Sequence, residues 1–187
     1  RKESSAASDV YKRQIMSNLC SEILQVQAPS EINGKQEYEV LGTDISCNLG
    51  STNIVNLMDS PDFGKSVRAM TRALTFVTDA SDIDVVPSIQ NGNALNHTIG
   101  LGAMGLHTYF AKNQMEYGSP ESLEFTDLYF MLLNYWTLVE SNAIAKEKGE
   151  VFHNFEKSAY ADGSYFTDYI QGDYLSLIHI SEPTRPY

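Results

Sequence analysis

The sequence predicts a helix-rich fold with few strands of its own, and three observations carry that prediction. Ser60-Pro61 and Ser119-Pro120 each spell a helix start, because Ser can cap free backbone N–H groups and Pro fits the first helical position. Each start is followed by apolar residues at helical spacing. Residues 44–58 (DISCNLGSTNIVNLM) instead mix β-branched residues with a break at Gly50, which suggests a strand or extended segment leading into a loop.

In chain order, residues 15–23 have short side chains, no helical stripe and no internal Gly or Pro, and read as extended chain. Residues 29–38 are polar, with Asn33-Gly34 marking a turn. After Ser60-Pro61, Phe63, Val67, Met70, Leu74 and Val77 form one apolar helix face, which core packing explains. A further helix is expected between Asn96 and Lys112. In the helix that Ser119-Pro120 opens, Leu128, Leu132, Tyr135, Trp136 and Val139 supply the buried face. Gly149, following Lys146 and Lys148, is its C-terminal stop. Residues 155–161 read as a short last helix, and no internal repeat is visible.

The 187 residues suffice for one domain with a sizeable core. The formal charge of −11 argues against a sequence-blind nucleic-acid binder, which needs clustered Lys and Arg. It leaves room for a nucleotide substrate, since a local pocket can hold phosphate on backbone N–H groups. No apolar run reaches the roughly 18 residues of a membrane span, and no secretory pattern is present. The cytosol is therefore the expected compartment. Two cysteines, Cys20 and Cys47, are too few for a disulfide scaffold.

Both ends read as foreign to the fold. DVYKRQ near the start and LSLIHISEPTR near the finish resemble translated transposon-end adaptors from sequencing libraries. Residues 1–14 and 175–187 are accordingly set aside, and residues 15–174 are taken as the folded part. What remains is more acidic than the whole.

Asn18-Leu19-Cys20-Ser21-Glu22 is the segment richest in chemistry. In extended chain, Asn18, Cys20 and Glu22 share a face and Leu19 points away. An amide, a thiol and a carboxylate together offer a hydrogen-bond donor, a sulfur centre and a general base, a set suited to a hydroxyl-bearing substrate. By spacing alone N-x-C-x-E is not specific.

SNLCSEI followed by DISCNLGSTN is similar to the catalytic stretch of ribonucleotide reductase large subunits. The second motif resembles the class Ib branch, as do PDFGKSVRAMTRALTFVTD, IGLGAMGLHTYFAK, YGSPESLEFTDLYF and KEKGEVFHNFEKSAYADGSYF. The resemblance runs across essentially all of residues 15–174, and several linked motifs in order are far more specific than the five-residue one.

That resemblance implies an α/β fold, part of the family's ten-stranded barrel. This piece would be mostly helical and would carry the catalytic loop inside that barrel. It implies that Cys20 becomes a thiyl radical and removes the substrate's 3′ hydrogen. Glu22 would take the 3′-hydroxyl proton, and Asn18 would hold the ribose hydroxyls and help polarise the leaving 2′ group. Asn18, Leu19, Cys20, Ser21 and Glu22 would contact substrate. Cys47 would be one of the two cysteines that reduce the 2′ position, its disulfide partner being a cysteine absent from this chain rather than Cys20. No cofactor or metal is expected on these residues. The resemblance implies a radical from a dimetal (Mn or Fe) tyrosyl-radical small subunit and dNTP or ATP effectors. It also implies a thioredoxin- or glutaredoxin-like reductant and a homodimeric parent, without which the piece is inactive.

Some other signals are expected to be structural. Gly100-Leu101-Gly102-Ala103-Met104-Gly105 spells G-x-G-x-x-G, but no convincing strand precedes it, and close helix packing explains it better. His97 and His107 lack the spacing and nearby thiolates of a zinc site. Tyr129, Tyr135 and Tyr160 read as packing residues. Two competing readings remain: a cobalamin-dependent reductase, which shares the N-x-C-x-E logic, and a helical binding module with buried, inert cysteines.

Overall fold

The computed structural model describes residues 14–17, 24–165 and 167. The chain divides into two compact units, Arg1–Ser51 with Met70–Gly102, and Thr52–Ala69 with Ala103–Tyr187.

In the first unit, strands β1 (Gln14–Ser17) and β2 (Leu24–Gln27) pair antiparallel, from Gln14 opposite Gln27 to Ser17 opposite Leu24. The strand β1 bears out extended chain for residues 15–17; residues 18–23 lie outside the described residues. Strands β3 (Glu31–Ile32) and β4 (Tyr38–Val40) form a second antiparallel pair. Their connection is the turn expected at Asn33-Gly34. The Asn33 side-chain oxygen accepts from the N–H groups of Lys35 (2.9 Å) and Glu37 (3.0 Å), replacing the strand ladder with a local side-chain turn.

Strand β5 (Asn48–Asn53) pairs with β6 (Ile99–Met104) in a third two-stranded sheet. Among the described residues the sheets are these three pairs and not a closed barrel. The strand expected within residues 44–58 is present, but a helix, α1 (Ile54–Met58), takes the place of the loop after it. Asn53 caps it by accepting from the Asn56 N–H at 3.1 Å, and Ile54 and Leu57 are buried three residues apart.

Helix α2 (Phe63–Ala80) begins later than Ser60-Pro61 signals. Asp62, not Ser60, caps it, accepting from the Lys65 N–H at 2.8 Å. Its most buried line is Gly64, Val67, Thr71, Leu74 and Thr78. Val77, expected in the core, is 47% exposed, whereas Thr78 is fully buried. The Thr78 hydroxyl donates to the Leu74 carbonyl (3.1 Å) and accepts from the Asn48 amide (2.9 Å), so a polar residue can occupy an apolar stripe at little cost.

Of the helix expected between Asn96 and Lys112, only the second half is helical, and a strand occupies the first. Helix α3 (Pro87–Asn96) ends where His97 turns left-handed, β6 follows, and α4 (Leu106–Lys112) starts after Gly105 at φ 84°. Gly100 and Gly102 weaken a helix, and here they lie in a strand, so close helix packing does not account for them. Two of the three fingerprint glycines thus sit inside β6 rather than in a turn around a diphosphate.

In the second unit, α5 (Pro120–Lys148) has the predicted ends. Ser119 accepts from the Ser122 N–H at 3.3 Å, and Gly149 closes the helix at φ 70°. Its buried apolar residues are Tyr129, Met131, Leu133 and Ile144. Leu128, Leu132, Trp136 and Val139, expected there, are half-buried and Tyr135 is exposed. A helix covered on more than one side spreads its apolar residues beyond one stripe.

Tyr129 is the centre of an aromatic cluster. Phe63 meets it edge-on at 5.7 Å between ring centres, with Phe125 at 5.9 Å and Phe130 at 5.4 Å, and Tyr109 stacks on Phe125 at 4.1 Å. Gly64 lies so near Trp136 that a Cβ there would fall 2.6 Å from the indole ring. Glu140, buried on α5, accepts from the Arg68 Nε–H at 2.7 Å. Only residues 155–157 of the expected last helix form one, a 3-10 turn (Phe155–Lys157). Tyr160 is exposed, though its ring lies 4.6 Å from that of Tyr165. Among the described residues no helix is long and apolar enough to cross a membrane.

Candidate active site

Of the sequence-predicted residues, Asn18, Leu19, Cys20, Ser21 and Glu22 lie outside the described residues. Ser17 and Leu24, on either side of that stretch, pair with each other across β1 and β2. Cys47 is described: it is half-buried and immediately precedes β5. Its thiol lies 3.8 Å from the Asn48 carbonyl.

Residues 42–47 belong to no helix or strand, apart from the single bridge of Thr43 to Ala28, so side chains must do most of what a ladder would do elsewhere. Strand β2 supplies one set. Gln25 and Gln27, two apart and hence on the same face, both reach this segment. The Gln25 amide donates to the Ser46 carbonyl at 2.6 Å and the Gln27 amide donates to Asp44 Oδ1 at 2.5 Å. Just beyond β2, the Ala28 N–H donates to the Thr43 hydroxyl (2.9 Å) and the Thr43 N–H to the Ala28 carbonyl (2.8 Å).

Helix α3 supplies a second set. The Ser88 hydroxyl donates to Asp44 Oδ2 at 2.5 Å, and the Asp44 N–H returns a bond to the Ser88 carbonyl at 2.9 Å. The Asn91 amide donates to the Gly42 carbonyl (2.9 Å) and the Ser46 hydroxyl to Asn93 Oδ1 (3.1 Å). Asn93 in turn donates to the Thr78 carbonyl of α2 at 2.8 Å. Gly92 allows α3 to come this close, because any Cβ there would collide with the Asp44 carbonyl.

Gln25, Ser88 and Asn93 are all buried, and no buried side-chain polar atom among the described residues lacks a partner. The result is a fully satisfied polar network with Cys47 one residue from its Ser46 members. Sequence reasoning missed Gln25, Gln27, Asp44, Ser88 and Asn93. The alternation Gln25-x-Gln27 was the one local signal available; the rest are paired over distances that no short pattern spans.

The other candidates behave structurally. His97 closes α3, its Nδ1 lying 3.0 Å from Asp79 Oδ1, and His107 packs its ring near that of Tyr117. No group of three or more His, Cys, Asp and Glu fit to hold a metal exists among the described residues. Tyr129 is buried, with its hydroxyl 2.9 Å from the Thr52 hydroxyl. Burial pushes its phenol above the ordinary tyrosine range, and the Thr52 bond opposes that rise in part.

The backbone leading to the half-buried Cys47 is thus held by the Gln25 and Gln27 amides, the Asp44 carboxylate and the Ser88 and Asn93 side chains. Residues 5–184 match the ribonucleotide reductase barrel domain, and the chain belongs to that family. It is similar to the ribonucleoside-diphosphate reductase subunit alpha of Mycoplasma pneumoniae, 47% identical over 160 residues, which is 85% of this chain and 22% of the relative. The subunit of the same name from Bacillus subtilis is 44% identical over 158 residues, 84% of this chain and 23% of the relative. That of Treponema pallidum is 32% identical over 176 residues, 86% of this chain and 21% of the relative. The chain thus spans less than a quarter of the length of these relatives.

Proposed function

We propose that this chain is a piece of the catalytic barrel of a class Ib ribonucleoside-diphosphate reductase large subunit, working in the cytosol. Its reaction converts ribonucleoside diphosphates to 2′-deoxyribonucleoside diphosphates. Family membership and the names of the relatives support the reaction class. The observation that carries the assignment to these residues is the Gln25 bond to the Ser46 carbonyl. It fastens the residue before Cys47 to β2, the strand that begins two residues after Glu22 in the sequence.

In this reading the Cys20 thiyl takes the 3′ hydrogen atom of the ribose, becoming a thiol. Glu22 accepts the 3′-hydroxyl proton, while Asn18 holds the hydroxyls and eases departure of the 2′-hydroxyl, which leaves as water. Two electrons and two protons then come from a dithiol, Cys47 and a cysteine outside this chain, which closes to a disulfide. Cys20 returns its hydrogen atom to the 3′ carbon and is again a thiyl, and Glu22 returns its proton to the 3′ oxygen. The radical itself is supplied by a dimetal small subunit. Effector nucleotides, a thioredoxin- or glutaredoxin-like reductant for the disulfide, and a second copy of the subunit complete the proposed assembly.

The test is Cys20→Ser in the complete subunit that contains this segment. Deoxynucleotide formation should vanish while cytidine diphosphate still binds. Product formation by that variant would overturn the assignment of the radical cysteine. Cys47→Ser should stop repeated turnover, and sustained turnover would remove Cys47 from the dithiol.

A further inference from the structure

We infer that Asp44 is a positioning residue for the reducing thiol of Cys47, an inference that rests on the reductase reading above. Both carboxylate oxygens and the N–H of Asp44 are hydrogen-bonded. One carboxylate oxygen takes the Gln27 amide of β2, and the other takes the Ser88 hydroxyl of α3, each at 2.5 Å. Its N–H donates to the Ser88 carbonyl at 2.9 Å, and its own carbonyl lies against Gly92, where a side chain would collide with it.

The residue therefore ties strand β2 to helix α3 three positions before Cys47. The Ser46 bonds to Gln25 and Asn93 continue the same two-sided grip one residue before the thiol. A backbone without helical or strand hydrogen bonds keeps its course only through such contacts, so the Asp44 carboxylate fixes the direction in which the chain delivers Cys47. Both partners of the carboxylate are donors. Removing it takes away the acceptor that the buried Ser88 hydroxyl and the Gln27 amide now share, and the segment has to move to satisfy them.

Asp44 acts through the backbone that leads to Cys47, so its effect should fall on a rate and not on binding. A displacement of about 1 Å at a reacting group can cost on the order of 100-fold in rate. In the complete subunit, reduced beforehand and mixed with its small subunit and cytidine diphosphate, a single turnover is followed without added reductant. With Asp44→Ala, deoxycytidine diphosphate formation and the matching loss of Cys47 thiol should slow by on the order of 10–100-fold. The final yield per subunit and the dissociation constant for cytidine diphosphate should be unchanged. A purely structural role gives the reverse pattern: the yield falls with the folded fraction while the rate constant of the survivors stays normal, and that result would overturn the inference.

Ser88→Ala removes one of the two donors and guards against a variant that fails to fold. It should slow the same step less, and combining it with Asp44→Ala should add little further. Fully additive slowing, or a normal rate in Ser88→Ala, counts against the proposed linkage. Cys20→Ser run alongside separates the two readings. If Cys20→Ser retains activity the radical-cysteine assignment fails; if it is inactive while Asp44→Ala turns over at the normal rate, only the role of Asp44 fails.

Discussion

The segment before Cys47 and the cluster around Tyr129 are held in opposite ways. Residues 42–48 are fixed by amides, hydroxyls and one carboxylate, with Gln25, Asp44, Ser46, Ser88 and Asn93 satisfying one another across β2, α2 and α3. Tyr129 is fixed by aromatic contact with Phe63, Phe125 and Phe130, and only its hydroxyl has a polar partner. Apolar packing tolerates rotation and small adjustment, whereas a satisfied buried polar network specifies one arrangement or is costly. A side chain that has to be presented in one position is served by the second kind of setting, and the first kind suits a helical scaffold.

The comparison can be broken at either end. Tyr129→Ala should cause the largest loss of stability, about 3–5 kcal/mol as for other large core aromatics, read by denaturant unfolding. Gly92→Ala comes next at about 1–3 kcal/mol, because α3 has to withdraw from the Asp44 carbonyl. Unlike the Tyr129 variant, it should disturb the reactivity of Cys47 towards iodoacetamide. A wild-type alkylation rate in Gly92→Ala would mean that α3 does not control the thiol. Ser119→Ala removes the α5 cap and should cost about 1 kcal/mol, with no effect on that rate.

A pH titration sharpens the same contrast. The phenol of Tyr129 is raised in the folded protein, so the neutral form is favoured there relative to the unfolded chain. Its contribution is fully present below the ordinary tyrosine value of 10.0 and is lost as pH climbs through the higher folded value. Stability should therefore fall above pH 10, and Tyr129→Phe should flatten that part of the curve. An unchanged alkaline slope in the variant would show that another group is responsible.

What was legible in the sequence follows the same division. The ends of α5 could be read because Ser119, Pro120 and Gly149 act within one turn of the helix they bound. Val67 and Leu74 could be read because apolar periodicity marks a buried face. Thr78 could not, since its suitability for the core depends on Leu74 and on Asn48, thirty residues away. Helix α3 was missed because its three Asn residues and Gly92 have weak intrinsic preference for helix; contacts such as that of Asn93 with Ser46, 47 positions earlier, sustain it. The strand β6 was taken for helix because its glycines and apolar residues carry no clear period of two. At the candidate site, Cys47 was named from its motif, while the residues that hold its segment are scattered over β2, α2 and α3.

The most direct measurement is the redox state of Cys47 after one turnover of the complete, pre-reduced subunit with cytidine diphosphate, read by mass spectrometry of alkylated peptides. The account predicts one Cys47-containing disulfide for each deoxynucleotide formed, with Cys20 recovered as a thiol. Deoxynucleotide formed while Cys47 remains fully alkylatable would contradict it.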